Sequence, residues 1–318
     1  MAEKKKALRI VFLGTPGFAA VVLKRLLAWP GCEVAAVFTQ PDRPSGRGRK
    51  LHSSEVKTLA LDKGLQVFQP ENFKDPKNVH LLADLKPDLL VTAAYGLILP
   101  RAVLDVPRIY ALNVHASLLP KYRGAAPIQR AILAGELVTG VTIMRMDPGM
   151  DTGPILLQRA MGIGADETAE DLHDGLAELG GELLVEALER MGEGRLTAIP
   201  QDQAKATYAP RLTKAEGEID WSRPALEVHN HIRAMYPWPG AYFYWQGGVR
   251  KKSLRITVHP GRIGDELEGN SSPGTILGLS GKDLSITCAD RAYLVPRLTP
   301  EGKKSMDPEA FYNGYLNK

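Results

Sequence analysis

Short, almost wholly apolar runs recur through residues 8–146, and stretches with helical periodicity separate them. The runs are LRIVFLG (8–14), CEVAAVFT (32–39), DLLVTAAY (88–95), IYALNVH (109–115) and GVTIMRM (140–146). A strand with one wet face alternates apolar and polar residues, whereas a run that is apolar throughout belongs to a strand covered on both faces. Between the first two runs, Phe18, Val21, Val22, Arg25 and Leu26 fall at helical spacing, and Pro30-Gly31 supplies the stop. Further helices are predicted near 54–63 and 76–85, with the short strand LQVFQ between them. A long one is predicted over 168–191, opened by Thr168 as cap with Asp171 three residues on. Strands alternating with helices predict a Rossmann-like, doubly wound, mostly parallel α/β sheet.

Periodicity then stops. Residues 192–212 mix Gly, Pro, Gln and Ala without a face and are predicted to be a linker. Beyond them AYFYW, SLRITVHP, GTILGLS, DLSITCA and RAYLVPRL are short strands between turns, as in a small antiparallel, OB-like barrel. The expected organisation is a catalytic α/β domain over 1–191, a linker over 192–212 and an OB-like domain over 213–318. Two domains suit 318 residues, and 44% hydrophobic with 24% charged residues is the balance of a soluble globular chain. No apolar run approaches the roughly 20 residues that span a bilayer. The basic start MAEKKK leads into a first strand, with no small-residue cleavage site after it, and so reads as no signal peptide. Cys32 and Cys288 lie far apart, which argues against a disulfide framework or a metal cluster, and a cytoplasmic location is expected.

Three places carry polar chemistry. GTPGF after the first strand lacks the glycine spacing of a dinucleotide turn and reads as a tight strand-to-helix connection. The run IYALNVH ends in Asn113 and His115, two apart and so on one face, where the strand breaks into Ser117-Leu118-Leu119-Pro120. The carboxyl ends of strands are where open α/β sheets bind ligands. Downstream, DPGMDTGPIL offers Asp151 in a glycine-rich loop. An amide, an imidazole and a carboxylate together supply an oxyanion donor, an acid/base and a group that tunes it. Singly, each has a plainer reading: a turn former, a core histidine and a cap. Net charge is only +4, but Arg43, Arg47, Arg49 and Lys50 crowd one Pro/Gly-rich stretch, and Arg250, Lys251, Lys252 and Arg255 another. Either cluster alone could be ordinary solvated surface.

NVHASLLPKYRGAAPIQRAI together with GVTIMRMDPGMDTGPIL closely resembles the folate-dependent formyltransferases, and the resemblance extends through FLGTPGFAA, FTQPDRPSGRGRKL, AAYGLILP and IRAMYPWPGA. It implies 10-formyltetrahydrofolate as formyl donor, with Asn113 and His115 donating to the oxyanion of a tetrahedral intermediate and Asp151 holding His115 and helping move the proton. It also implies a backbone cradle at Ser117, Leu118, Leu119 and Pro120, and an apolar pteridine wall at Ala94, Tyr95, Gly96, Leu97 and Ile98. No metal is implied, and His and Cys spacing offers no ligand set. The Asn/His/SLLP/Asp set specifies the chemistry and not the acceptor. QPDRPSGRGRKL, RGAAPIQ and the second domain resemble the branch whose acceptor is methionyl initiator tRNA. That branch would use Arg43, Arg47, Arg49, Lys50, Arg250, Lys251 and Lys252 on phosphates, and no obligatory protein partner or membrane is implied. Competing readings are a sugar-nucleotide formyltransferase, a dinucleotide-dependent oxidoreductase and a non-catalytic RNA-binding module.

Overall fold

The computed structural model describes residues 7–45, 50–247, 253–267, 269 and 271–317. Compactness divides the chain into two units. The first holds Met1–Pro127, Val138–Gly162 and His173–Ala209, and the second Ile128–Leu137, Ile163–Leu172 and Pro210–Lys318.

The first unit begins β1 (Leu8–Gly14), α1 (Gly17–Ala28), β2 (Cys32–Phe38), β3 (Arg43–Ser45) and β4 (Lys50–His52). It continues with α2 (Glu55–Asp62), β5 (Val67–Phe68), α3 (Pro76–Asp84), β6 (Leu89–Ala93), α4 (Arg101–Leu104), β7 (Tyr110–His115) and β8 (Arg123–Gly124). In chain order there follow α5 (Pro127–Leu133), which from Ile128 belongs to the second unit, then β9 (Val138–Arg145), β10 (Ile155–Gly162), α6 (Ala169–Gly192), which through Leu172 belongs to the second unit, and β11 (Tyr208–Ala209).

Seven strands form one sheet in the order β10-β9-β7-β6-β1-β2-β5. β5, β2, β1, β6 and β7 run parallel, β9 runs against β7, and β10 pairs antiparallel with β9. The runs that are apolar throughout are the sheet's centre: all of β6 is buried, as is β1 from Ile10 onward. From β1 the chain builds outward through β2 and β5, then returns to place β6 on β1's other side. That reversal is the switch point of an open α/β sheet, where ligands bind at the strands' carboxyl ends. Below it, Val11, Leu13, Phe38, Phe73, Leu90, Val103 and Ala111 form one core cluster. Phe38 stacks obliquely on Phe68 and Phe73 at 5.1 and 6.1 Å.

Helix starts follow local chemistry. Ser54 caps α2 by accepting the Lys57 N–H, and Asp75 does the same for Lys77 with Pro76 in the first turn. At α6 the Thr168 N–H and hydroxyl both donate to the Asp171 carboxylate, and the Asp171 N–H returns to Thr168 Oγ1. That is a reciprocal capping box.

The aperiodic stretch 192–212, predicted to be a linker, behaves differently. Its residues through Ala209 belong to the first unit. Ile199 and Ile155 exchange backbone hydrogen bonds of 2.8 Å, and β11 pairs in parallel with β8. The stretch is a strap held by backbone and amide hydrogen bonds, which leave no apolar period in a sequence. At the two ends of the Pro/Gly-rich basic stretch, β3 and β4 pair antiparallel from Arg43–His52 to Ser45–Lys50.

The second unit contains α7 (Ala225–Ala234), β12 (Tyr242–Gln246), β13 (Ser253–Val258), β14 (Arg262–Glu266) and β15 (Ile276–Ser280). β16 (Asp283–Thr287), β17 (Arg291–Val295), β18 (Leu298–Pro300) and α8 (Pro308–Phe311) complete it. Its strands are antiparallel, in a three-stranded sheet β12-β13-β18 and a four-stranded sheet β14-β17-β16-β15. Trp221, Phe243 and Tyr293 meet inside it, and the Tyr293 hydroxyl accepts the Gly261 N–H at 3.0 Å. Among the described residues no helix is long and apolar enough to cross a membrane.

Candidate active site

β7 carries Asn113 opposite Thr92 of β6 and opposite Met144 of β9. Two residues on, at the strand end, stands His115, 6% exposed. Thr92 Oγ1 lies 2.9 Å from both the Leu112 carbonyl oxygen and Asn113 Oδ1. Asn113 Oδ1 thus turns to the Thr92 hydroxyl, and its Nδ2 donates to Asp151 Oδ1 at 3.3 Å. One amide N–H remains for a ligand.

Asp151 reaches that point because its loop folds back. Asp147 Oδ1 accepts the Gly149 N–H at 3.1 Å and the Thr152 hydroxyl at 2.7 Å, an Asx-type turn. Asp151 itself sits at φ +54°, in the left-handed region. At Gly153 a β-carbon would lie 1.9 Å from the Arg145 carbonyl oxygen, so only glycine lets the loop close against the end of β9. Asp151 Oδ2 accepts the Gly124 N–H at 2.9 Å and stands 3.7 Å from His115 Nδ1. On the far side of the ring, His115 Nε2 is 3.0 Å from the Tyr122 carbonyl oxygen. A carbonyl only accepts, so Nε2 carries the proton and Nδ1 is the ring atom on the carboxylate's side. The His115 N–H that the sequence offers to an oxyanion is therefore engaged by Tyr122.

Ser117–Pro120 is held from within. Ser117 and Leu119 are buried, and Thr142 Oγ1 donates to the Ser117 carbonyl at 2.6 Å while accepting the Leu119 N–H at 3.1 Å. Gln158 Nε2 donates to the Leu119 carbonyl at 2.8 Å, and the Leu119–Pro120 bond is cis. Of this cradle only Leu118 and Pro120 are partly exposed.

The 94–98 segment follows β6 at the switch point. Ala94 is exposed at φ +41°, and Gly96 turns at φ +78° where a β-carbon would meet Gln40 Nε2 at 2.3 Å. Tyr95 does not face outward. Its ring lies in the core against Phe73, and its carbonyl accepts from Thr15 Oγ1 and Gln40 Nε2, both at 3.0 Å. Leu97 is half-buried and Ile98 is 90% exposed. A cavity of about 340 Å³ lies by the start of β7 and the end of β9, with Leu104, Tyr110, Ala111, Arg145, Met146 and Asp147 in its wall. Met146 links it to the polar cluster, its sulfur 3.3 Å from Thr92 Oγ1.

Of the basic residues singled out, Arg43 is exposed on β3 and Lys50 begins β4. Arg47, Arg49, Arg250, Lys251 and Lys252 lie outside the described residues. Arg255 is spent internally, its guanidinium 3.8 Å from the centre of the Tyr242 ring. Among the described residues no group of His, Cys, Asp and Glu side chains could hold a metal ion.

Sequence reasoning missed three contributors. Thr92 lies in an apolar run and Gln201 in the aperiodic strap, and neither position carries a signal of its own. Arg123 lies in RGAAPIQ, already notable as a motif, yet its burial could not be read there.

The formyl transferase family matches residues 8–188, and the formyl transferase C-terminal domain matches 211–316. The chain is 56% identical over 318 residues to the methionyl-tRNA formyltransferase of Nitratidesulfovibrio vulgaris strain DP4, covering 100% of this chain and 96% of that protein. It is 47% identical to the methionyl-tRNA formyltransferase of Desulfovibrio desulfuricans, covering 99% of this chain and 95% of the relative. In fold it resembles the crystal structure of an N-formyltransferase from Helicobacter canadensis in complex with folinic acid and dTDP-3-aminofucose. That likeness has a TM-score of 0.66 at 19% identity, covering 91% of this chain and 98% of that one. The chain belongs to the formyl transferase family.

Proposed function

We propose that this chain transfers the formyl group of 10-formyltetrahydrofolate to the α-amino group of methionyl initiator tRNA, giving N-formylmethionyl-tRNA for translation initiation in the cytoplasm. What carries this reading is the meeting of Asn113, His115 and Asp151 at one strand end, in a chain so close to methionyl-tRNA formyltransferases along its whole length. In the reaction the amine nitrogen bonds to the formyl carbon, the bond from that carbon to N10 breaks, and one proton moves from the amine to N10. The free N–H of Asn113 stabilises the oxyanion that develops on the formyl oxygen, its amide locked by Thr92 on one side and Asp151 on the other. His115 Nδ1 takes the proton, and the imidazolium so formed faces the Asp151 carboxylate. Asp151 is oriented for this by the Gly124 N–H on Oδ2 and the Asn113 amide on Oδ1.

The donor supplies an activated formyl carbon, and the surroundings fit a largely apolar folate group. Ile98 is nearly fully exposed, and Ala94 is held at φ +41° on the same segment. Leu97, Leu118 and Pro120 add partly exposed apolar surface, whereas Tyr95, Ser117 and Leu119 contribute backbone only. The acceptor's phosphates meet Arg43 and Lys50, which flank Arg47 and Arg49, and the cluster Arg250, Lys251 and Lys252. The test measures transfer of labelled formyl groups to methionyl initiator tRNA, to free methionine and to a dTDP-amino sugar. Transfer to the charged tRNA alone, with kcat/KM falling steeply as salt rises, is the expected result. Transfer to the sugar in preference to the tRNA would overturn the assignment.

A further inference from the structure

Among the described residues Arg123 is the largest fully buried side chain, at 1% exposure. Its guanidinium meets neutral amide oxygens: Nε and Nη2 donate to Gln201 Oε1 at 3.1 and 2.7 Å, and Nη1 donates to Gln203 Oε1 at 2.8 Å. Gln201, 8% exposed, uses its other end on the catalytic loop. Its Nε2 donates to the Asp151 carbonyl at 2.8 Å and to the Gly153 carbonyl at 2.7 Å. These two carbonyls bracket the turn that carries the Asp151 carboxylate at φ +54°.

The chemistry at the two ends leaves one arrangement. A guanidinium has donors only and a carbonyl acceptors only, so a side chain bridging them must accept at one end and donate twice at the other. Glutamine does this in one of its two amide orientations, and Arg123 selects that orientation. Glutamate would pair well with Arg123 but would turn a carboxylate oxygen toward two carbonyl oxygens. β8 also reaches Asp151 directly, through the Gly124 N–H to Oδ2. The Arg123–Gly124 dipeptide therefore holds the loop by backbone through Gln201 and by side chain through Gly124.

We propose that Gln201 is a positioning residue for the transfer reaction, oriented by Arg123 so that the strap holds Asp151 at the height of Asn113 and His115. This rests on the reading of Asp151 as part of the reacting site. It is distinct from simple core packing, and the isosteric change Gln201→Glu separates the two. Packing alone predicts that Gln201→Glu is tolerated, since it gains an ion pair with Arg123. Positioning predicts a Tm within about 3 °C of wild type, KM for both substrates within about threefold, and kcat lower by about tenfold or more. Amide hydrogen exchange over 149–153, measured with no substrate present, is expected to be faster by about tenfold, with β7 and β9 unchanged. A kcat within about twofold of wild type together with unchanged loop exchange would overturn the proposal.

If Gln201→Glu does not fold, the wild type still decides the matter. Both Gln201 side-chain amide protons are expected to exchange slowly by NMR, as donors in two buried hydrogen bonds, and fast exchange of either sinks the proposal. Exchange in the absence of substrate does not depend on the acceptor. A wild type with a protected loop but no transfer to charged tRNA would refute the proposed acceptor and leave the positioning role standing.

Discussion

At the scale of residues, the site is a set of groups whose hydrogen bonds leave one donor and one acceptor unspent. Asn113 has one amide proton committed to Asp151, and His115 has its Nε2 proton committed to the Tyr122 carbonyl. What remains is one N–H for a developing oxyanion and one ring nitrogen for a proton. Removing either the amide or the carboxylate should therefore act on the chemical step. Asn113→Ala and Asp151→Ala are each expected to lower kcat by about 10²- to 10³-fold, the usual consequence of deleting an oxyanion donor or its counterpart. Binding of charged tRNA should persist in both variants. Single-turnover transfer beside a filter-binding titration checks this, and near-wild-type turnover would remove the residue from the mechanism.

Among the elements, the strands explain where the site lies and the helix ends explain what keeps them there. β7 is the last parallel strand, and its antiparallel neighbour β9 ends with Arg145 opposite Leu112, from where the Asp147–Gly153 loop folds back to bring Asp151 against Asn113. α6 opens with the Thr168–Asp171 capping box, and hydrogen bonds from Thr168 hold the Asp171 carboxyl below its ordinary range. Thr168→Ala is expected to destabilise the fold by about 1 kcal/mol at neutral pH. A carboxyl lowered in the folded state stabilises above its unfolded value of 3.8 and loses that contribution as pH falls through the folded value. Wild type and Thr168→Ala should therefore converge in acid. Urea denaturation of both proteins across that range measures the difference, and parallel curves down to the lowest pH would contradict the capping role.

For the molecule as a whole, the second unit responds to pH through its histidines. Burial pushes His231 below its ordinary 6.5, against opposing influences from the Gly217 carbonyl, Glu216 and Asp220. Burial together with Arg297 does the same to His259. A lowered base is neutral in the folded state, so its contribution is present above 6.5 and is lost as pH falls through the folded value. Stability is expected to decline as pH falls below 6.5, and the double variant His231→Asn, His259→Asn should flatten that decline. Tryptophan fluorescence follows it, because Trp221 lies in the core of this unit. An unchanged slope in the double variant would rule the two rings out.

The alternation of buried strands and amphipathic helices, the capped start of α6 and the pairing of Asn113 with His115 on one strand face were all determined locally. Hydrophobic burial and the two-residue pleat write them directly into residue order. The Asp in its glycine-rich loop was legible as a candidate, and family resemblance tied it to the other two. Tertiary structure alone decided how the three are held. Thr92 meets Asn113 from 21 residues away and Gln201 meets Asp151 from 50, and hydrogen bonds over such separations have no period to read. The same holds for side chains that turn inward at the end of a strand. Tyr95, Ser117 and Leu119 stand in stretches expected to face a ligand, yet Tyr95 and Leu119 find apolar surface in the packing beneath them and the Ser117 hydroxyl donates to the Lys121 carbonyl at 2.7 Å. The strap over 192–209 was unreadable for the converse reason: backbone and amide groups pin it to the first unit, and such groups are common to every sequence.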